Sequence, residues 1–168
     1  MTRKVKILVS IVVLLVVVAA AIQWVPVERS NPAVRAEIQA PPAVLAVLKR
    51  SCYDCHSNET RWPWYAHVAP VSWMIARDVH EGREHVNFSE WSNVAEATRS
   101  HLRRQIWREV EEGNMPLDHY VVLHPEAHLS QGDREVLQQW SQAAETPASE
   151  TGAHTHAGHD HTTHSSED

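Results

Sequence analysis

Apolar residues fall unevenly along the chain, and their spacing divides it into four stretches. An apolar run from Ile7 to Ile22, interrupted only by Ser10, follows Arg3, Lys4 and Lys6. Carried on through Gln23, Trp24 and Val25, it reaches the ~20 residues that cross a bilayer as a helix. A basic flank stays on the cytoplasmic side, which sends everything after Trp24 outward, and Trp24 stands where an interfacial aromatic belongs. Ala19, Ala20 and Ala21 also satisfy the small-residue rule for signal-peptide cleavage. The run continues past that alanine cluster, which favours a retained membrane anchor over residues 1–25. Either reading exports the rest of the chain.

Residues 26–40 are polar and broken by proline, a pattern that predicts an extended linker. A folded domain is expected over 41–145. Pro41-Pro42 suits the first turn of a helix, and Val44, Leu45, Leu48 and Cys52 then recur at helical spacing. Trp62-Pro63-Trp64-Tyr65 reads as an aromatic loop. A second helix is predicted over about 70–84, with Val71, Met74, Ile75 and Val79 on one face. A third covers about 94–112 on the stripe Leu102, Ile106, Val110, and Gly113-Asn114 ends it. After a loop over 115–129, Ser130 and Asp133 resemble a capping box opening a last helix, with Val136, Leu137 and Trp140 turned inward. No stretch alternates as a strand does, so the fold class is all-α behind a single N-terminal transmembrane helix. From 146 to 168 no residue is large and apolar enough to pack, and a disordered tail is expected.

Charge and composition change this picture little. The formal charge is −6, from 15 basic and 21 acidic residues, which gives no support for a nucleic-acid partner. Seven Trp against one Phe suits a core built around a flat cofactor, and suits any small core almost as well. The two cysteines are fewer than a disulfide-stapled exported domain carries, and both lie in one motif.

That motif is Cys52-Tyr53-Asp54-Cys55-His56, a C-x-x-C-H sequence typical of covalent haem attachment. Each thiol can add to one haem vinyl group, and a spacing of one helical turn brings both sulfurs to the same edge of the macrocycle. His56 is then held beneath the iron as the proximal ligand. The alternatives are a thioredoxin-type dithiol, which wants a βαβ setting, a structural zinc site, which wants four ligands, and a bare disulfide, which gives His56 no role. A six-coordinate electron-transfer haem also needs a second axial ligand, commonly Met or His. Met115 lies in a loop between Gly113-Asn114 and Pro116 and is the favoured candidate. Met74 sits on an apolar helical stripe, where core packing is the plainer role. His67, His80, His85, His101 and His119 are the remaining candidates, together with an open site.

The motif, the Gly-Asn-Met-Pro segment and the order of helices resemble class I c-type cytochromes. The run Cys52 to Tyr65 resembles more narrowly the bacterial haem-binding domain family. So do Ala69-Pro-Val-Ser-Trp73, Asp78-Val-His-Glu-Gly-Arg83 and Asn87-Phe-Ser-Glu-Trp91. The resemblance covers roughly residues 26–145. It implies a small cytochrome c-like domain with one haem c, attached through Cys52 and Cys55 and ligated by His56, behind an anchor in the bacterial cytoplasmic membrane. The domain then lies in the periplasm or outside the cell. Met115 occupies the methionine-proline position usual for the sixth ligand. Trp62, Trp64 and Trp73 are candidates for the wall of the haem pocket, and Arg61, Arg77 or Arg83 for pairing with the propionates.

One-electron transfer to a redox partner protein is the leading expectation, and no catalytic constellation argues for an enzyme. A haem-based sensor or small-molecule binder requires an iron site that opens. A metal-handling protein is the third reading, because His154, His156, His159, His161 and His164 crowd the tail at a density that captures Cu, Ni or Zn ions weakly.

Overall fold

Twenty residues, Arg3–Ile22, form the first helix, α1, and none of its side chains is buried. It is long and apolar enough to cross a membrane, by length and composition. The computed structural model describes residues 2–143. Past α1 the chain builds α2 (Pro42–Ser51), the single turn α3 (Tyr53–His56), α4 (Val71–His85), α5 (Glu96–Glu111), α6 (Asp118–Leu123) and α7 (Gln131–Gln142). Three 3₁₀ turns, Trp64–His67, Phe88–Asn93 and Pro125–Ala127, join them. There is no strand among the described residues, as the absence of alternation predicts.

The core follows the helical stripes. Val44, Val47 and Leu48 of α2, Val110 of α5, and Leu137 and Trp140 of α7 are buried together, and α2 and α5 each pack on α7. An aromatic chain runs through this core. Tyr53 stacks on Phe88 at 5.4 Å, Phe88 meets Trp91 at 6.2 Å, and Trp91 meets Trp140 at 6.2 Å. Phe88, the lone phenylalanine of the chain, is therefore the hinge between the motif and the helical bundle.

Two stretches differ from the pattern-based expectation. Residues 26–40 are extended and free of helix, yet they are tied to the domain. Arg35 and Ala36 donate to the Ser89 carbonyl, Ile38 donates to the Phe88 carbonyl at 2.8 Å, and the Ile38 side chain is buried in the core. Polar composition conceals this, because the contacts are made by backbone and by one apolar residue. The stretch after Met115 is not all loop either, since it holds α6 and the turn Pro125–Ala127. A helix of six residues makes fewer than two turns, too few for a 3.6-residue period to show.

The capping box at α7 is present: Ser130 Oγ accepts from the Asp133 N–H, and Asp133 Oδ2 accepts from the Ser130 N–H at 2.9 Å. Arg50 of α2 pairs with the same carboxylate at 2.8 Å. Burial alone would raise the Asp133 carboxyl, but the hydrogen bonds from Ser130 and Arg50 outweigh it and hold it below its ordinary value. The contribution is therefore complete at neutral pH and is lost as pH falls through that depressed value. Ser130→Ala removes a cap worth about 1 kcal/mol. The expected result is an earlier denaturant midpoint at pH 7, with a smaller difference in strong acid.

Candidate functional site

Helix α2 ends where Cys52 leaves helical geometry, at φ −128° and ψ −31°. The chain re-enters helix at once: the N–H groups of Cys55 and His56 both return to the Cys52 carbonyl, at 3.2 and 3.0 Å. The two thiols thus lie one turn apart on one short element. Both are free and half-buried. Burial, reinforced at Cys52 by the neighbouring Cys55 and at Cys55 by Asp54 and Asp78, pushes both thiols up to about 12. A redox-active dithiol needs one thiol shifted the opposite way. No group of three or more His, Cys, Asp or Glu comes together as a metal-holding cluster among the described residues, so a protein-only zinc site has no ligand set there.

The two residues between the cysteines point in different directions. Tyr53 goes into the core against Phe88, with Lys49 over its ring at 5.5 Å. Asp54 is buried and turns toward the following loop. Its Oδ1 accepts from the Arg61 N–H at 3.0 Å, its Oδ2 accepts from Tyr120 Oη at 2.8 Å, and its carbonyl accepts from Thr60 Oγ1 at 2.7 Å. The motif is therefore held from both sides.

His56 has one nitrogen already committed. Its Nδ1 lies 2.8 Å from the Gly82 carbonyl and 3.2 Å from the Val86 carbonyl. A carbonyl can only accept, so Nδ1 carries the proton and Nε2 keeps its lone pair. A metal-ligating imidazole is oriented in this way. Burial holds the His56 pKa below its ordinary value, despite those two hydrogen bonds, which keeps the ring neutral and able to coordinate.

The carbonyl that holds His56 comes from a helix pressed closely on the motif. At Gly82 an added Cβ would lie 2.6 Å from the Cys55 carbonyl oxygen and 3.2 Å from Cys55 Cβ. Only glycine lets α4 approach this near. The next residue bolts the assembly: Arg83 Nε donates to the Ser57 carbonyl at 2.8 Å, Nη1 to the Ser30 carbonyl at 2.9 Å, and Nη2 to Thr60 Oγ1 at 2.9 Å. Asn58 completes the joint. Its N–H donates to Ser89 Oγ at 2.9 Å, and its Oδ1 accepts from Asn87 Nδ2 at 2.9 Å. The sequence offered Arg83 only as a propionate partner and gave Gly82 no role, so this joint was missed. A glycine inside a helix costs about 1 kcal/mol relative to alanine, and that cost is the signal that marks a close approach.

An apolar cleft opens beside the motif, between α3, α4 and α6, and Cys55, Tyr65, Val71, Met74, Ile75, Leu117, Tyr120 and Leu123 line it. His124 lies at its edge: its Nδ1 donates to the Tyr120 carbonyl at 3.1 Å, so Nε2 accepts from Tyr65 Oη, also at 3.1 Å. His124 stacks on Tyr120 with centroids 4.1 Å apart. Tyr120 and His124 were not singled out by the sequence, and Tyr65 only as part of the aromatic loop, since no motif links the three. Met74 sits at this cleft, 39 % exposed, and not in the core. His119 also lines it and contacts Asp78 at 3.0 Å. Met115 is half-buried and packs against the core cluster that Cys52 also touches. His67, His80, His85 and His101 are exposed.

The structure places the candidates for the pocket wall and the propionates as follows. Trp64 is 78 % exposed, Trp73 is exposed, and Trp62 donates from Nε1 to Asn31; none of the three lines the cleft. The interior tryptophans are Trp91 and Trp140. Arg83 spends its donors on the chain itself, Arg61 pairs with Asp54, and Arg77 lies against Asp78 and Glu81. His154, His156, His159, His161 and His164 lie outside the described residues.

A family model described as a haem-binding domain matches residues 17–143. The chain belongs to the haem-binding domain family. Comparison with curated proteins and with solved structures finds no significant match. The match begins inside α1 and runs to the end of α7, so it takes in the extended segment 26–40 as well as the bundle. Three of the segments carrying the family likeness, 52–65, 78–83 and 87–91, are joined in space through Arg83, Asn58, Asn87 and Ser89. The residues present fit the group that the family binds: two free thiols one turn apart, a neutral imidazole with Nε2 available, and an apolar cleft beside them.

Proposed function

We propose that this haem-binding protein is a monohaem c-type cytochrome that carries single electrons at the outer face of the bacterial cytoplasmic membrane. Cys52 and Cys55 would hold the haem through two thioether links, and His56 Nε2 would bind its iron. The observation that carries this reading is the His56 ring, held neutral by burial with its Nδ1 proton spent on the Gly82 carbonyl. The bound iron supplies the one-electron couple; the chain fixes its ligands, excludes water with the cleft and sets the potential. Met115 would supply a second ligand to that iron. Its N–H is tied to the Glu109 carbonyl at 3.1 Å, and proline follows it, so its backbone is fixed next to the core face that Cys52 shares. The acidic surface favours a basic redox partner protein through salt-sensitive encounters. Arg3, Lys4 and Lys6 hold the α1 start inside and leave the domain on the periplasmic side.

The test is a visible spectrum of protein matured in a host that attaches haem c, with Met115→Ala and Met74→Ala beside it. The expected result is a c-type reduced spectrum and a weak far-red sulfur–iron band in the oxidised protein. That band disappears in Met115→Ala and survives in Met74→Ala. The potential of Met115→Ala falls by on the order of 100 mV, given that axial ligation spans about 0.8 V. Disappearance in Met74→Ala instead reassigns the ligand to the cleft methionine. No band in wild type, with ready binding of carbon monoxide, makes the protein a haem sensor or small-molecule binder.

A further inference from the structure

Helix α4 separates two hollows. Val71, Met74, Ile75 and Asp78 face the cleft beside the motif, while Ala76, His80 and Arg83, at i, i+4 and i+7, face the other side. There a cavity of about 620 Å³ opens between α4 and the extended segment 28–35, within the size range of small-molecule sites. Val79 alone is shared with the cleft, and Cys52, Cys55 and His56 do not line the cavity. Its shape is set by bonds already made: Arg83 Nη1 holds the Ser30 carbonyl, and the Arg35 N–H holds the Ser89 carbonyl at 3.2 Å. Pro32, Trp62, Ala76 and Val79 supply apolar wall.

The charges facing this cavity are unevenly answered. Arg77 lies against Glu81 at 3.6 Å, and His80 against Glu84 at 3.3 Å. Arg35, Arg83, Glu28 and Glu90 also line it, and none of these four is in an ion pair among the described residues. Arg83 is half-buried. Four of its N–H groups go to neutral acceptors, the carbonyls of Ser57 and Ser30, Asn31 Oδ1 and Thr60 Oγ1, which leaves one of five for a ligand. Hydrogen bonds of this kind satisfy donors without neutralising the charge, and burying a charge is costly until it is paired. Burial accordingly holds the Arg83 pKa below its ordinary value, whereas the partner Asp54 raises that of Arg61. On the acidic side, Glu90 Oε2 accepts from the neutral Asn93 amide at 2.7 Å. Two cations and two anions thus share one cavity without pairing. A simple anion entering it would meet two carboxylates, and a simple cation two guanidiniums. A ligand that carries both signs answers all four.

We propose that the cavity between α4 and segment 28–35 binds a free zwitterionic amino acid with an apolar side chain. Its carboxylate meets Arg35 and Arg83, where the guanidinium of Arg35 has its whole fork to offer. Its ammonium meets Glu28 and Glu90, and its side chain lies against Trp62 and Val79. The site stands apart from the haem, since α4 lies between them.

The test is equilibrium dialysis of labelled L-phenylalanine against the full haem-loaded chain in lipid discs, with empty discs as the blank. Binding above the blank is expected. 3-Phenylpropionate lacks the ammonium and phenethylamine lacks the carboxylate, so each is expected to displace the label about tenfold or more weakly than unlabelled phenylalanine. Arg35→Ala is expected to weaken binding by about tenfold. The exposed Arg35 side chain has no partner among the described residues, so the fold stays as it is. Arg104→Ala, exposed on α5 and outside the cavity, removes the same charge and leaves binding at the parent value. Phenylalanine held no better than by the blank overturns the site. Displacement by 3-phenylpropionate or phenethylamine as strong as by phenylalanine overturns the zwitterion, and equal losses in the two variants overturn the place. No iron ligand lines the cavity, so none of these outcomes bears on the haem reading.

Discussion

A chain carrying Cys52→Ser and Cys55→Ser together is expected to hold no haem after denaturation, where the parent chain keeps one. A serine hydroxyl does not add to a vinyl group as a thiol does, so both covalent links are lost at once. The loss does not come from unfolding. Both thiols are half-buried and make no disulfide, and serine is close to cysteine in volume, so α2, α3 and their packing on Phe88 stay as they are. His56 keeps its bonds to Gly82 and Val86, and the variant is expected to take up added haem reversibly. Measurement is by haem-dependent staining on denaturing gels, with circular dichroism to confirm that the helices remain. Haem that survives denaturation in the double variant removes the thioether assignment. A companion experiment uses the unloaded parent chain. With both thiols pushed up to about 12 by burial, alkylation at neutral pH is expected to be far slower than for an ordinary thiol near 8.5, and rapid alkylation would restore the dithiol alternative.

The sequence disclosed the elements in proportion to how local their signals are. The stripes of α2 and α5 and the Ser130–Asp133 box were legible because a helix writes its buried face and its cap into neighbouring residues, whereas the stripe of α4 proved to line the cleft. The C-x-x-C-H motif was legible because the chemistry of two vinyl groups and one iron fixes a spacing. The surroundings of the motif were not. Arg83 reaches Ser30, Ser57 and Thr60, and Asn58 reaches Ala33, Asn87 and Ser89. Such bonds join distant segments through backbone carbonyls and short polar side chains, which leave no periodic trace. Aromatic richness alone says little about location. Trp62, Trp64 and Trp73 sit in or beside the motif-bearing segments, while the buried tryptophans, Trp91 and Trp140, come from a 3₁₀ turn and from the last helix. Size and apolarity say that a tryptophan will contact something, and only the fold decides whether that is the core or the surface.

Gly82→Ala is expected to destabilise the protein by about 1–3 kcal/mol, the usual cost of overfilling a packed site. At an ordinary helical position the sign is opposite, since alanine is favoured over glycine by about 1 kcal/mol. Gly132 in α7 supplies the control: an added Cβ there meets only Ser130 Oγ, at 3.9 Å, so Gly132→Ala is expected to stabilise by roughly 0.5–1 kcal/mol. The difference lies in what the methyl group meets. At Gly82 it meets the Cys55 carbonyl at 2.6 Å, which is backbone and cannot rotate away. Either α4 or α3 must move. A shift of α4 carries the Gly82 carbonyl off His56 Nδ1, while a shift of α3 moves Cys55 and His56 together. Denaturant unfolding of the haem-loaded protein gives the energies, and haem content per chain reports the motif. A purely structural glycine would lower the unfolding midpoint alone. A glycine that aims the proximal histidine lowers the midpoint and also changes the haem spectrum of whatever protein remains folded. An increase in stability in Gly82→Ala would mean that α4 does not press on the motif as described, and the orientation argued for His56 would lose its support.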